Sequence, residues 1–464
     1  MTTFNTPFIV AHDNDVDAFI PEVWANESLA ILEEHMVAGN LVHRDFEPEI
    51  ADFGDVVNTR QPGEFESKRK GADDDVTIQD VEATNVPVTL NQHVHASFMI
   101  RDSEASKSFK ELVYVYLVPA MIAQARFVDQ VVLGQYGQFL PNAYGGLRSL
   151  SSSNVKSRIL NTRNLLNVNK AYMQGRNLIW TPSSETSASE LDLFTAADQT
   201  GDGGFALSEA SLGRKLGFDN YMCQNMTGFG LAQTDYVTGA VNQAAGEGKG
   251  ETAITVDGLS AAIANGQWVD IAGDPHRVVS TTGGSTPTVI TVAAPGLRQL
   301  AANDAVVIVY GKGAVNKSSG YAAGYAKDIL VDGFTNFPVV GQMLSFGTSP
   351  TSAIYTVIQA SSANGTVLLD RPLEAALSND DNANIGPAGE YNFAFHKNAL
   401  ALVVRPLATP RAGTGALSSV ANYNGLSMRA TITYNGTKQG HLVTLDMLMG
   451  VKVLNTDLGA ILLG

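Results

Sequence analysis

The segment from Asp198 to Glu209 holds the spacing that most resembles a site. Asp198, Asp202, Gly203 and Glu209 match a twelve-residue calcium loop at its first, fifth, sixth and twelfth places, and Phe205 fills the apolar eighth place. The helix-like Ser189-Glu-Leu-Asp-Leu-Phe precedes it, as an EF-hand requires. Thr200 stands where Asp or Asn is expected, no second loop pairs with it, and Gly213 and Gly217 interrupt the exiting helix. These departures favour a plain link between helices, with Asp198, Thr200, Asp202 and Glu209 as the calcium candidates. His93 and His95 share one face of a strand, but no third ligand lies near them in sequence. The third constellation is a charge block, Lys68-Arg69-Lys70 followed by Asp73-Asp74-Asp75. It reads either as a solvated tip or as a loop whose two signs meet opposite charges on a neighbouring subunit. No Gly-x-Ser-x-Gly elbow, phosphate loop or His-Glu-x-x-His motif occurs, and acidic residues never cluster with a histidine at ligand spacing. The chain therefore reads as non-enzymatic, with no catalytic residue and no cofactor.

The elements that carry these residues belong to a large chain. At 464 residues it exceeds one ordinary core. With 44% apolar and 16% charged residues it is too apolar for disorder and too low in charge for a coiled coil. A net charge of −16 and a pI near 4.9 argue against binding nucleic acid through bulk basic charge. The single cysteine, Cys223, excludes an intramolecular disulfide framework. The N-terminus lacks a basic region followed by an apolar core, and the longest apolar run, Leu112 to Ala123, is interrupted by Pro119 and falls short of a membrane span. The expectation is a soluble protein kept in a reducing cytoplasm, with no membrane partner.

Residues 1–20 show no period and read as an extended arm. Asn26 is placed to cap a helix with Leu29, Leu32 and Met36 on one face, stopped by Gly39-Asn40. Residues 60–85 are too poor in apolar side chains to bury themselves and read as a protruding hairpin or loop. Val86 to Arg101 alternates as a strand, with a shift after Leu90. A long helix is expected over 103–133, with Pro119 predicting a kink or break. A further helix follows over 154–170, and Asn177 to Pro182 reads as a short buried strand.

From 236 to 390 helical periods vanish and Gly, Thr, Val and Ala dominate. This stretch reads as all-β and carries a repeat. Val256-Asp-Gly-Leu259 returns as Val331-Asp-Gly-Phe334, and Gly266-Gln-Trp268 as Gly341-Gln-Met343, both 75 residues on. Thr288-Val289, Pro295 and Asn303-Asp304 return as Thr366-Val367, Pro372 and Asn379-Asp380. The shared order argues for duplication into two tandem β modules.

Four stretches, in order, resemble tailed-bacteriophage major capsid proteins of the Hong Kong 97-type fold: Trp24 to Thr59; Val88 to Asp102; Leu160 to Asn225, with Gly175-Arg-Asn-Leu-Ile-Trp-Thr-Pro; and Phe395 onward to Met449-Gly-Val-Lys-Val-Leu-Asn-Thr-Asp-Leu-Gly. They cover about two-thirds of the chain and are most similar to short-tailed-phage coat proteins with an insertion domain. The resemblance implies an α+β fold with a division into an N-terminal arm and helix (1–59), an extended loop (60–87) and a peripheral domain with a long spine helix (88–144). An axial domain in two parts (145–235 and 391–441) would flank an all-β insertion (236–390, repeats about 250–315 and 325–390), and 442–464 would return to the peripheral domain.

It further implies self-assembly into hexamers and pentamers of an icosahedral head that encloses double-stranded DNA without sequence specificity. Scaffolding protein and portal would be assembly partners, a decoration protein is compatible, and the location would be the virion, assembled in the host cytoplasm. Lys68, Arg69, Lys70, Asp73, Asp74 and Asp75 become inter-subunit contact candidates. Lys68 and Lys70 lie in the loop that some such shells cross-link, but no motif identifies a partner asparagine. Two other readings are an encapsulin-like compartment shell, which would lack a large double insert, and a β-rich surface adhesin, which would need an export signal and leaves the long helices unexplained.

Overall fold

The computed structural model describes residues 19–44, 56–61, 67–72, 75–76, 78, 84–105, 116–191, 212–226, 236–411, 413 and 415–464. The chain divides into two compact units. The first comprises residues 1–35, 93–124 and 404–448, and the second comprises 36–92, 125–403 and 449–464.

In the first unit, helix α1 (Phe19–His35) packs on strands β22 (Ala416–Tyr423) and β23 (Leu426–Asn435). The helix starts earlier than the Asn26 cap predicted. Pro21 sits in the first turn, where a missing N–H costs nothing, and Asn26 lies exposed mid-helix. Trp24, Leu29 and Leu32 form the buried stripe. β22 and β23 are joined by Asn424-Gly425, both with positive φ (50° and 74°), the geometry of a type I′ hairpin turn. β23 pairs with β24 (Gly440–Val453), which also pairs with β3 (Gln92–Arg101). The strand expected over 86–101 is thus two strands. The pattern shift after Leu90 marks a break between β2 (Thr84–Thr89) and β3.

In the second unit, a six-stranded sheet runs in the order β4 (Ala143–Gly145), β25 (Gly459–Leu463), β20 (Tyr391–His396), β5 (Arg176–Trp180), β7 (Phe218–Met222), β6 (Arg214–Lys215). β5 is buried throughout, its polar Arg176 and Asn177 as well as its apolar Leu178, Ile179 and Trp180. Helix α5 (Val155–Val168) contributes Val155, Ile159 and Leu166 to the core beside Trp180, Phe218 and Leu462. Helix α4 (Val118–Gly134), which enters this unit at residue 125, is one described part of the long helix expected over 103–133, and Asp102–Ala105 in the first unit is helical as well. Tyr116 and Leu117 are π-helical immediately before α4, and Pro119 is its second residue, so the described chain stays helical through the proline. β1 (Val56–Gln61) pairs antiparallel with β2, from Val56 against Thr89 to Gln61 against Thr84. The described residues 67–72, 75, 76 and 78 lie in sequence between these two paired strands.

Twelve further strands close into two barrels. The first contains β8 (Tyr236–Val241), β9 (Ala253–Asp257), β10 (Trp268–Ile271), β11 (Asp274–Thr282), β12 (Val289–Val292) and β13 (Val306–Tyr310). The second contains β14 (Lys312–Val315), β15 (Ile329–Asp332), β16 (Met343–Phe346), β17 (Ile354–Ser361), β18 (Thr366–Leu369) and β19 (Asn382–Ile385). The circular strand order is the same in both: β10-β11-β12-β9-β8-β13 and β16-β17-β18-β15-β14-β19. Each barrel has its own apolar core.

The repeated residues do matching work in the two barrels. Gln267 accepts the Ala264 amide and donates to the Tyr310 carbonyl, while Gln342 accepts the Val339 amide and donates to the Gly386 carbonyl. The bulge between Val278 and Ser280 recurs between Val357 and Gln359. Where the repeats differ, one side chain replaces another in the same role. The Glu247 carboxylate accepts the Thr255 amide in the first barrel, and the Tyr321 hydroxyl accepts the equivalent Leu330 amide in the second.

Candidate assembly surfaces

The residues singled out by type and spacing fall into three groups. Lys68, Arg69 and Lys70 are exposed on the segment carried by the β1–β2 ribbon, and so is Asp75. Two large apolar side chains share that segment: Val76 is 74% exposed and Ile78 86%. Asp73 and Asp74 lie outside the described residues, as do the calcium candidates Asp198, Thr200, Asp202 and Glu209. His93 and His95 do share a face, with ring centroids 5.9 Å apart. His93 Nε2 lies 3.4 Å from Asp446, which is itself buried and held by both arms of Arg429. That carboxylate is committed to neutralising Arg429. Among the described residues no group of three His, Cys, Asp or Glu side chains is placed to hold a metal ion.

Cys223 is buried, and burial beside Asp129 pushes its thiol up to about 12, so it is no nucleophile at neutral pH. Asp129, on α4, receives the backbone N–H groups of Val37 at 3.0 Å and Gly39 at 3.1 Å, and the Asn225 amide at 3.3 Å. Burial raises its carboxyl above the ordinary value even with those donors. It pins the turn at 37–39 to the helix.

Single-residue patterns did not disclose how the barrels are seated on the second unit's own framework. Three contacts do it. The β10–β11 turn meets the loop at 146–148: Leu147 N–H donates to Gly273 O at 2.8 Å, and Arg148 pairs with the buried Asp270 while donating to the Tyr310 hydroxyl at 2.9 Å. The β16–β17 turn meets the first barrel: Arg277 donates to the carbonyls of Ser352 at 2.7 Å and Ser349 at 2.8 Å, and Trp268 Nε1 to Ser345 Oγ at 3.1 Å. The second barrel's β17 then meets the end of α4. Thr356 Oγ1 donates to Gly134 O at 2.8 Å, Gln135 Nε2 to the buried Asp370 at 2.8 Å, and the Tyr136 hydroxyl to Gly341 O at 3.0 Å. Thr356 occupies the place in its barrel that Arg277 occupies in the first, so one face of the duplicated module serves two different contacts.

The electrostatics follow from burial. The Asp270 and Asp370 carboxyls are raised by desolvation, against the pull of Arg148 and Arg371. Desolvation lowers the Arg277 guanidinium to about 10. Desolvation likewise raises the hydroxyls of Tyr136, Tyr310 and Tyr391, which stay neutral as hydrogen-bond donors or acceptors. Asp274 is different. Burial alone would raise it, but His276 Nε2, 2.9 Å from its carboxylate, and Arg298 together hold it below the usual carboxylate value.

No protein-family model matches the chain. No curated protein matches it either. Solved structures do. The chain resembles phage capsid structures. A chain of Mycobacterium phage Che8 is 12% identical with a TM-score of 0.44, covering 92% of this chain and 90% of that one. The capsid of Cyanophage P-SCSP1u is 9% identical with a TM-score of 0.41, covering 89% and 85%. The mature capsid of bacteriophage PhiM1 is 9% identical with a TM-score of 0.38, covering 89% and 83%. At these values the likenesses carry no residue role over to this chain.

Proposed function

We propose that the chain is a phage major capsid protein, a structural subunit that assembles with copies of itself into hexamers and pentamers of an icosahedral head enclosing double-stranded DNA. The observation that carries this reading is the β1–β2 ribbon. It presents Lys68, Arg69, Lys70, Asp75, Val76 and Ile78 to solvent. A ribbon of two strands with exposed apolar side chains is marginal alone and gains its stability by burying them on a neighbour. Closed shells need several such contacts per subunit. The division into arm, extended loop, peripheral domain, axial domain and double insert is part of the same proposal, as are scaffold and portal as assembly partners. No helix among the described residues is long and apolar enough to cross a membrane.

Reversing Lys68, Arg69 and Lys70 together to glutamate tests the reading. Shell yield, measured by sedimentation, is expected to fall at least tenfold with the thermal midpoint of the unassembled subunit unchanged. Full yield from the triple variant would mean that the segment is only a solvated tip.

A further inference from the structure

The formal charge of this chain is sharply segregated. Residues 1–43 carry seven acidic residues and no lysine or arginine. Residues 130–184 carry six lysines and arginines and no acidic residue. Each stretch contains a well-formed helix, and each helix has an outward face that is exposed among the described residues.

On α5 the buried positions are Val155, Ile159, Thr162 and Leu166. The row beside them is Lys156, Leu160, Arg163 and, just past the helix end, Lys170. Lys156, Leu160 and Lys170 are exposed and Arg163 is half-buried. Lys156 and Arg163 are seven residues apart, so they stand about 10 Å from each other along one side of the helix, and Lys170 follows just past its C-terminus. Arg148, Arg158 and Arg176 are occupied within the fold by carbonyl and side-chain acceptors. Lys156, Arg163 and Lys170 form no ion pair among the described residues. Leu160 at 41% exposure and Val168 at 69% give the face an apolar component.

On α1 the outward face is the counterpart. Glu22, Val23, Asn26, Glu27, Ala30 and Glu34 are exposed, with Val23 at 62%. Along it runs a groove of about 550 Å³ between the helix and the β22–β23 turn, lined by Asn26, Leu29, Ala30, Glu33, Glu34 and Tyr423. Carboxylates flank the groove, and an exposed tyrosine ring offers a face that attracts a cation.

We infer that the Lys156–Arg163–Lys170 row of α5 in one copy docks along the acidic α1 groove of a second copy, as a head-to-tail contact between non-identical surfaces. This inference rests on the capsid reading for its biological setting but not for its test. A chain with a net charge of −16 repels its own kind at long range. Association therefore needs local patches of opposite sign, and these two stretches supply both. A nucleic-acid backbone would satisfy the basic row but would leave the acidic groove without a partner.

The experiment uses the full-length chain in two triple variants, K156E/R163E/K170E and E22K/E27K/E34K. Each alone is expected to lose at least tenfold in self-association by analytical ultracentrifugation, with far-ultraviolet circular dichroism and thermal midpoint unchanged. Mixing the two variants in equal amounts places reversed rows against reversed grooves, and association is expected to return. Failure of the mixture to recover overturns the pairing, and so does normal association of either variant alone. If the α5 variant associates normally but loses binding to a 30-base-pair DNA duplex, the row is a phosphate-binding face and the inference is wrong. Shell formation by the parent is scored separately in electron micrographs. Soluble oligomers that obey the charge swap without forming shells would keep the pairing and remove the capsid reading.

Discussion

Asp274 sits almost wholly out of water between His276 and Arg298, and its carboxyl is held below the ordinary value. A carboxylate depressed in the folded state stabilises above its unfolded value, about pH 4, and that contribution is lost as pH falls through the lower folded value. Asp274→Asn is therefore expected to lower unfolding free energy by about 3 kcal/mol at pH 7, because it leaves the largely buried Arg298 guanidinium without its carboxylate. The gap to the parent should narrow below about pH 4 in urea titrations. Arg148→Met should cost a similar about 3–5 kcal/mol, since it leaves Asp270 buried without its partner. Neither residue was legible as important in the sequence. A buried ion pair whose members are 122 positions apart leaves no periodic trace. What could be read were residues whose neighbours are local: the exposed Lys68-Arg69-Lys70 block, and the two histidines on one strand face. The calcium candidates remain a matter for calorimetry, where millimolar calcium is expected to give no binding heat.

Elements were legible where their pattern is short-range. The all-β character of 236–390 and its order of repeated motifs became two closed barrels with one circular strand order, because a repeat of about 75 residues carries its own turns and its own core. The start of α1 was misplaced because Asn26 is a favoured capping type, whereas here it lies exposed within the helix. The close approaches inside the barrels could not be read at all. A Cβ at Gly239 would lie 2.6 Å from Asp257 O, and one at the equivalent Gly313 would press on Asp332 O and the Phe334 ring. Gly313→Val is expected to prevent closure of β14 on β15, seen as loss of the second barrel's amide protection in hydrogen exchange while the first barrel's persists. Equivalent loss in both would mean that the barrels fold as one cooperative unit.

At the scale of the whole chain, the composition that argued against gripping DNA is compatible with enclosing it. On the proposed capsid reading, acidic excess and local basic rows would lead the subunit to its own copies before a polyanion. Contacts made by exposed charge on the ribbon are screened by salt. The assembly defect of the Lys68, Arg69 and Lys70 reversal should therefore shrink at about 1 M salt, where the Debye length is about 3 Å. A defect of the same size at high salt would assign it to packing.

The seating of the barrels has a mechanical meaning. The framework, the first barrel and the second barrel meet pairwise at three places, which is the connectivity of a truss. Three bodies pinned at three joints have no internal degree of freedom, whereas two joints leave a swinging linkage. Removing Arg148, Arg277 or Thr356 would weaken one joint each, of which Leu147, Trp268 and Gln135 respectively keep a part. The duplication that doubled the barrel thus also supplied the third side that stops it from moving.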